Sequence, residues 1–457
     1  MRNAECGMRN VNDGKKQLIF LMALLAALIM PVLASAAEPL GKRILFENGM
    51  VLLLTEKHDI PVVAVNVSIK AGSREVPGSK PGLASITAML LTQGTAKRTA
   101  NQISREIDFI GGSLTASGGD DFASANLRVL AKDLRTGLDL LSDVLQNAVF
   151  DQKEIDRKVK ETLAEIQRQK EEPGVVANEA FDKAVFGDHP YGRTNDEVAA
   201  FLPKLTRQDI LDFYHACYSP NHTVIAVVGD VTEKEITTLL KGYFSTWQKK
   251  GMPLLPSVQP PALDKTVVQK IDKPITQANI DMGHVGISRE NPDFYACVVM
   301  NYILGGGGFT SRLMDNIRDN KGLAYSVHSG FAAQKEPGAF TITIQTKNES
   351  ANEVIAETLK EVRRIQTEPV TEKELNDAKA YLTGSFPLRM DTSVKIAGML
   401  TSIENFNLGL DYPRKYQGLI DSVTREDLQR AAKKYLHPDA MVIVVVADQE
   451  KAKVNLH

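Results

Sequence analysis

Residues 205–230 read LTRQDILDFYHACYSPNHTVIAVVGD, and residues 423–448 read VTREDLQRAAKKYLHPDAMVIVVVAD. At a constant offset of 218 the two stretches share nine identities over 26 positions without a gap. The pairs include Thr206 with Thr424, Arg207 with Arg425, Asp209 with Asp427, Pro220 with Pro438 and Asp230 with Asp448. In each copy a Thr stands where a helix can begin, and an Asp three residues on can answer the orphan N–H groups of the first turn. A proline then closes the helical region, and a β-branched run follows as a buried strand. The chain is therefore two copies of one plan.

The copies divide at 248–264, where Pro253, Pro256, Pro260 and Pro261 make a stiff extended linker. This leaves an N-terminal half, 37–247, and a C-terminal half, 265–457, each of about 200 residues and of ordinary domain size. Asn48-Gly49 predicts a hairpin turn between strands at 43–47 and 51–56, and 62–69 alternates as a strand. Apolar periodicity predicts helices at 101–110, 132–147, 152–170, 293–304, 310–318, 351–366 and 372–386, and a strand pair at 323–331 and 338–346. Runs of strands with separate helix pairs predict an α+β fold: two homologous domains, each a mixed, mostly antiparallel sheet packed with helices.

Composition narrows the function. Over 457 residues, 54 basic and 56 acidic side chains give a net charge of −2, which provides no field for holding nucleic acid. Three cysteines, Cys6, Cys217 and Cys297, are too few for a disulfide framework, and the last two are expected to be buried free thiols. Lys15 and Lys16 precede an apolar run from Leu18 to Leu33, followed by Ala34, Ser35, Ala36 and Ala37. This order is that of a secretory signal peptide over residues 1–36, cut after Ala36. The run is short of the roughly 20 residues that span a bilayer. The expectation is an exported, periplasmic chain with no stable membrane span.

Residues 81–95 read PGLASITAMLLTQGT, with Gly72-Ser73-Arg74-Glu75 before them. These landmarks resemble the insulinase/pitrilysin-type metallopeptidases, the inverzincins, and the resemblance runs from about Arg43 to Asp448. It includes Tyr218-Ser219-Pro220-Asn221, and a loop, Gly187-Asp188-His189-Pro190-Tyr191-Gly192, read as structural. In that family the matching helix carries H-x-x-E-H, two zinc ligands one helical turn apart with a general base between them. Here the three positions are Ser85, Ala88 and Met89. Hydroxyl, methyl and thioether groups are not a zinc ligand set. The residue matching the family's third ligand is Glu165, which lies off the apolar stripe of its helix and reads as a solvated face. None of the eight histidines lies three to five residues from another, so no local ligand pair exists. The expectation is that this chain binds no metal.

Residues 304–331 read LGGGGFTSRLMDNIRDNKGLAYSVHSGF. They resemble the family's second-domain signature, in which an Arg and, seven residues later, a Tyr hold the substrate carbonyl and the oxyanion. The matching residues are Arg318 and Tyr325. A guanidinium and a phenol O–H suit that task, because both donate without changing protonation state. The four glycines 305–308 lack the Gly-Lys-Ser/Thr of a phosphate loop, and no G-x-S-x-G serine elbow occurs. By the same resemblance, Leu114, Thr115, Ala116, Ser117 and Gly118 are placed like the family's substrate edge strand. An erased zinc half beside an intact Arg/Tyr half implies a non-metal-binding subunit of a heteromeric zinc peptidase. Its partner would be a homologous H-x-x-E-H chain carrying the zinc, and its substrates peptides. The alternative is a silent scaffold or peptide-binding protein of the same family.

Overall fold

A computed structural model of the chain describes residues 39–251 and 255–455. The expected signal segment, Cys6, three residues of the Pro-rich linker and the last two residues lie outside the described residues.

The first half builds a six-stranded sheet from β1 (Lys42–Leu45), β2 (Val51–Glu56), β3 (Val62–Ile69), β4 (Ser113–Gly118), β5 (Ala123–Leu130) and β6 (Thr223–Gly229). Its spatial order is β1-β2-β6-β3-β5-β4. The second half builds a five-stranded sheet from β7 (Val267–Asp272), β8 (Gln277–Val285), β9 (Ala324–Phe331), β10 (Ala339–Lys347) and β11 (Val442–Ala447), in the order β7-β11-β8-β10-β9. Without β1 the two orders are the same, and in each the single parallel pair joins the repeat strand to its outer neighbour: β2 with β6, β7 with β11. The mixed, mostly antiparallel sheets read from the sequence are present. Gly49, at φ +82°, makes the β1–β2 turn.

The repeat helices are Arg207–Cys217 and Arg425–Tyr435. Thr206 with Asp209, and Thr424 with Asp427, each form a reciprocal capping box.

What the periodicity left out is how the halves lock. Helix Pro173–Phe186 belongs to the first half, yet Ala177, Phe181 and Val185 pack on Val442, Val444 and Val446 of β11 in the second sheet. Helix Ser393–Asn405 belongs to the second half, and Ile396, Ala397 and Leu400 pack on Val51, Leu53, Ala226 and Val228 of the first sheet. The two helices overlap at the repeat offset, so the exchange is reciprocal. It explains the strand patterns. β6 and β11 are covered on both faces and read as nearly unbroken apolar runs, whereas β4, β5 and β10 alternate. Arg43 pairs bidentately with Glu404 (2.8 and 3.0 Å), Thr401 donates to Asn66 (2.8 Å) and Asn405 to Ser68 (2.8 Å).

Two expected helices differ in winding. The helix expected at 293–304 is α-helical over Phe294–Asn301 and π-wound over Tyr302–Gly306. The helix expected at 310–318 starts after a 3-10 turn, Gly308–Thr310, and is π-wound over Met314–Asn320. π-Wound turns are rare and collect at functional sites. Here the first takes in Gly305 and Gly306 of the glycine run, and the second follows the run.

Candidate functional site

Gly82, at φ +83°, turns the chain into helix Leu83–Leu90. Leu83, Ile86, Ala88 and Leu90 enter the first core, with Ala88 fully buried. Ser85 and Met89, one turn apart on the other side, line a cavity of about 460 Å³. Gly118, Gly119 and Asp120 line it from the end of β4, Glu161, Glu165 and Gln169 from helix Gln152–Gln169, and Tyr191 and Arg193 from the loop beyond. The structure thus brings together Ser85, Met89, Glu165 and Gly118 and leaves Ala88 in the core.

These residues do not fit a zinc ion. Glu165 is the one carboxylate among the four family positions. It accepts from Arg168 (2.5 Å) and Gln169 (3.0 Å), and the Arg168 bond holds it below the usual carboxylate range. A hydroxyl and a thioether complete the set. Among the described residues no three His, Cys, Asp or Glu side chains are grouped to hold a metal. Cys217 and Cys297 are buried free thiols, and burial pushes each up to about 12.

β4 is the outermost strand of its sheet, with one backbone edge open. Leu114, Thr115, Ala116, Ser117 and Gly118 all lie on it. Leu114 and Thr115 also line a second groove of about 540 Å³ against helix Ala100–Phe109, so the open edge runs from one depression to the other.

The wall beside the first cavity is a polar knot that sequence reading missed. Tyr191 donates its hydroxyl hydrogen to Asp121 (2.7 Å), and the Lys335 N–H donates to the same carboxylate (2.9 Å). Arg74 bridges Asp121 (3.3 Å) and Glu336 (2.5 Å). His189 accepts from the Tyr191 N–H through Nδ1 (3.2 Å), so its Nε2–H is the donor to Glu336 (2.8 Å). His189 is therefore structural, as its loop motif implied. Burial works to raise the Glu336 carboxyl; His189 and Arg74 overcome it and leave it below its usual range. Arg74 and Glu336 are 262 positions apart, a separation at which no local pattern signals a pair. Nearby, burial first, and then the charges of Asp281, Asp120 and Glu179, push the Asp182 carboxyl up to about 7.

Arg318 and Tyr325 come together on the second half. Tyr325, second in edge strand β9, is 74% exposed, and the Arg318 guanidinium carbon lies 5.5 Å from its ring centre. Phe309, 69% exposed and not singled out by sequence, lies 4.6 Å from the same carbon. The pair is not brought to the Ser85 cavity, whose lining comes entirely from the first half. The neighbouring Arg312 is buried and structural, bound to Glu374 (2.6 Å).

Comparison with known proteins gives two family matches in series. Residues 51–195 match the model described as Insulinase (Peptidase family M16), and residues 204–382 match Peptidase M16 inactive domain. The chain is 30% identical over 392 residues to an uncharacterized zinc protease of Mycobacterium leprae, covering 82% of this chain and 84% of that one. It is 27% identical over 359 residues to one of Bacillus subtilis, covering 77% and 85%. Among solved structures, a peptidase M16 inactive domain from Pseudomonas fluorescens aligns with TM-score 0.82 and 29% identity, covering 89% of this chain and 98% of that one. A protease from Helicobacter pylori shares the fold, with TM-score 0.83, 21% identity and coverage of 90% and 100%.

Proposed function

The chain belongs to the insulinase family of peptidases, M16, and from that premise we propose that it is the non-metal-binding subunit of a two-chain zinc peptidase. The observation that carries the reading is an asymmetry. The family's ligand positions in the cavity hold Ser85 and Met89, with Ala88 in the core. The family's Arg/Tyr positions, in contrast, are an adjacent, accessible pair. The partner is a homologous H-x-x-E-H chain that supplies the zinc. The substrate is a peptide in extended form.

In this reading Arg318 and Tyr325 act in trans. Each donates toward the scissile carbonyl oxygen, and both bonds strengthen as negative charge collects there. The open edge of β4 offers backbone N–H and C=O groups to a peptide that adds as a further strand. The segment 1–36 directs export to the periplasm. Among the described residues no helix is long and apolar enough to cross a membrane.

The test is reconstitution. The purified chain alone cleaves no peptide and carries no stoichiometric zinc. Co-expressed with a zinc-binding homologue from its own host, it co-elutes as a heteromer that cleaves peptides and is inhibited by chelator. Chelator-sensitive cleavage by the pure single chain would overturn the proposal.

A further inference from the structure

The Arg318 side chain makes no hydrogen bond and no ion pair among the described residues; two aromatic rings lie beside its guanidinium, Phe309 at 4.6 Å and Tyr325 at 5.5 Å. Two carboxylates are close in sequence, yet neither Asp315 nor Asp319 pairs with it, and Asp315 accepts instead from Asn320 (3.2 Å). The Phe309 ring is mostly solvent-exposed, so burial in the core is not what fixes it. The turn that presents it is unusual. Gly308 sits at φ +58° with open space around it, and Gly307 is packed against Tyr302 so that a Cβ there would lie 2.7 Å from the Tyr302 carbonyl oxygen.

Aromatic stacking and ion pairing restrain a guanidinium in different ways. A carboxylate takes the in-plane N–H donors and cancels the charge. A ring lies over the face, attracts the cation through its quadrupole and leaves every N–H free. An arginine that must meet a developing oxyanion needs the second kind of restraint.

We propose that Phe309 is the positioning residue for Arg318: it stacks on the guanidinium, holds it beside Tyr325 and keeps its donors unspent for substrate. This rests on the reading of Arg318 given above. It also gives the glycine run a purpose, since the run shapes the turn that brings Phe309 over Arg318.

The test has two arms. In the isolated full-length chain, the Arg318 Nε–Hε resonance of arginine-labelled protein is displaced upfield by the rings. Phe309→Ala moves it toward the random-coil position, and Phe309→Trp keeps the displacement. A wild-type resonance at the random-coil position would overturn the inference whatever the kinetics show. In the two-chain complex, Phe309→Ala lowers kcat/KM about tenfold, mainly through kcat. Phe309→Trp recovers most of the loss, whereas Phe309→Leu, apolar but without a ring face, does not. The double variant Phe309→Ala/Arg318→Ala is no worse than Arg318→Ala alone, because Phe309 acts through Arg318. Losses that multiply, or an unaffected Phe309→Ala beside a crippled Arg318→Ala, would overturn this inference and leave the proposed function standing. Full activity of Arg318→Ala would instead remove the proposed function.

Discussion

Gly118 closes against Ser85 so tightly that a β-carbon at 118 would lie 2.7 Å from the Ser85 Cα and 3.0 Å from the Ala84 carbonyl oxygen. The last residue of the open edge strand and the first vestigial ligand position are thus one packed unit. Both contacting atoms are backbone, so neither can swing aside. Gly118→Ala is expected to destabilise the protein by about 1–3 kcal/mol. Gly78→Ala, where no atom lies within 4 Å, should be close to neutral. Thermal melts of the two variants check this, and equal melting temperatures would contradict it.

Ser85 and Met89 face the cavity that Glu165 also lines. The double variant Ser85→His/Met89→His should therefore bind zinc stoichiometrically once Glu165 leaves Arg168. Adding Glu165→Gln should weaken that binding by about tenfold or more. Calorimetric titration with zinc reads both. The further change Ala88→Glu should lower stability, because position 88 is fully buried.

Asp182 sets a pH dependence. Burial, with Asp281, Asp120 and Glu179 nearby, raises its folded pKa to about 7 from 3.8. The folded state therefore prefers the neutral acid. That preference is fully present below the unfolded pKa and is lost as pH rises through about 7. The loss is at most about 4 kcal/mol. Asp182→Asn should raise the melting temperature at pH 8 and leave it nearly unchanged at pH 4. A gain that is the same at both pH values would contradict the assignment.

Glu336 answers both Arg74 and His189 across the two halves. Glu336→Gln leaves Asp121 as the one charged partner of Arg74 and, with Glu336 about 30% exposed, should cost about 1–2 kcal/mol. Denaturant unfolding measures it.

The repeat made the two-sheet plan legible, because a capped helix followed by a β-branched strand is written in local residues. The edge strand Ser113–Gly118, the Ser85/Met89 face and the Arg318–Tyr325 spacing were legible in another way, through landmarks that resemble a known family. The exchanged helices were not. Phe181 and Leu400 look like ordinary core positions, and nothing in their periodicity says which half's sheet they cover. The Arg74–Asp121–Glu336 knot joins three distant segments and leaves no pattern in any of them. Phe309 was hidden differently. An aromatic after four glycines reads as a turn ornament until the fold lays it over Arg318.

The claim that this chain contributes chemistry, and not scaffolding alone, rests on one hydroxyl more directly than on any other group. Tyr325→Phe keeps the ring beside Arg318 and removes only the phenol O–H. In the two-chain complex it should lower kcat by about 10²–10³, as loss of one oxyanion donor does, with assembly and partner zinc content unchanged. A Tyr325→Phe complex that forms normally and cleaves peptide at the wild-type rate would contradict the account and leave the chain a scaffold.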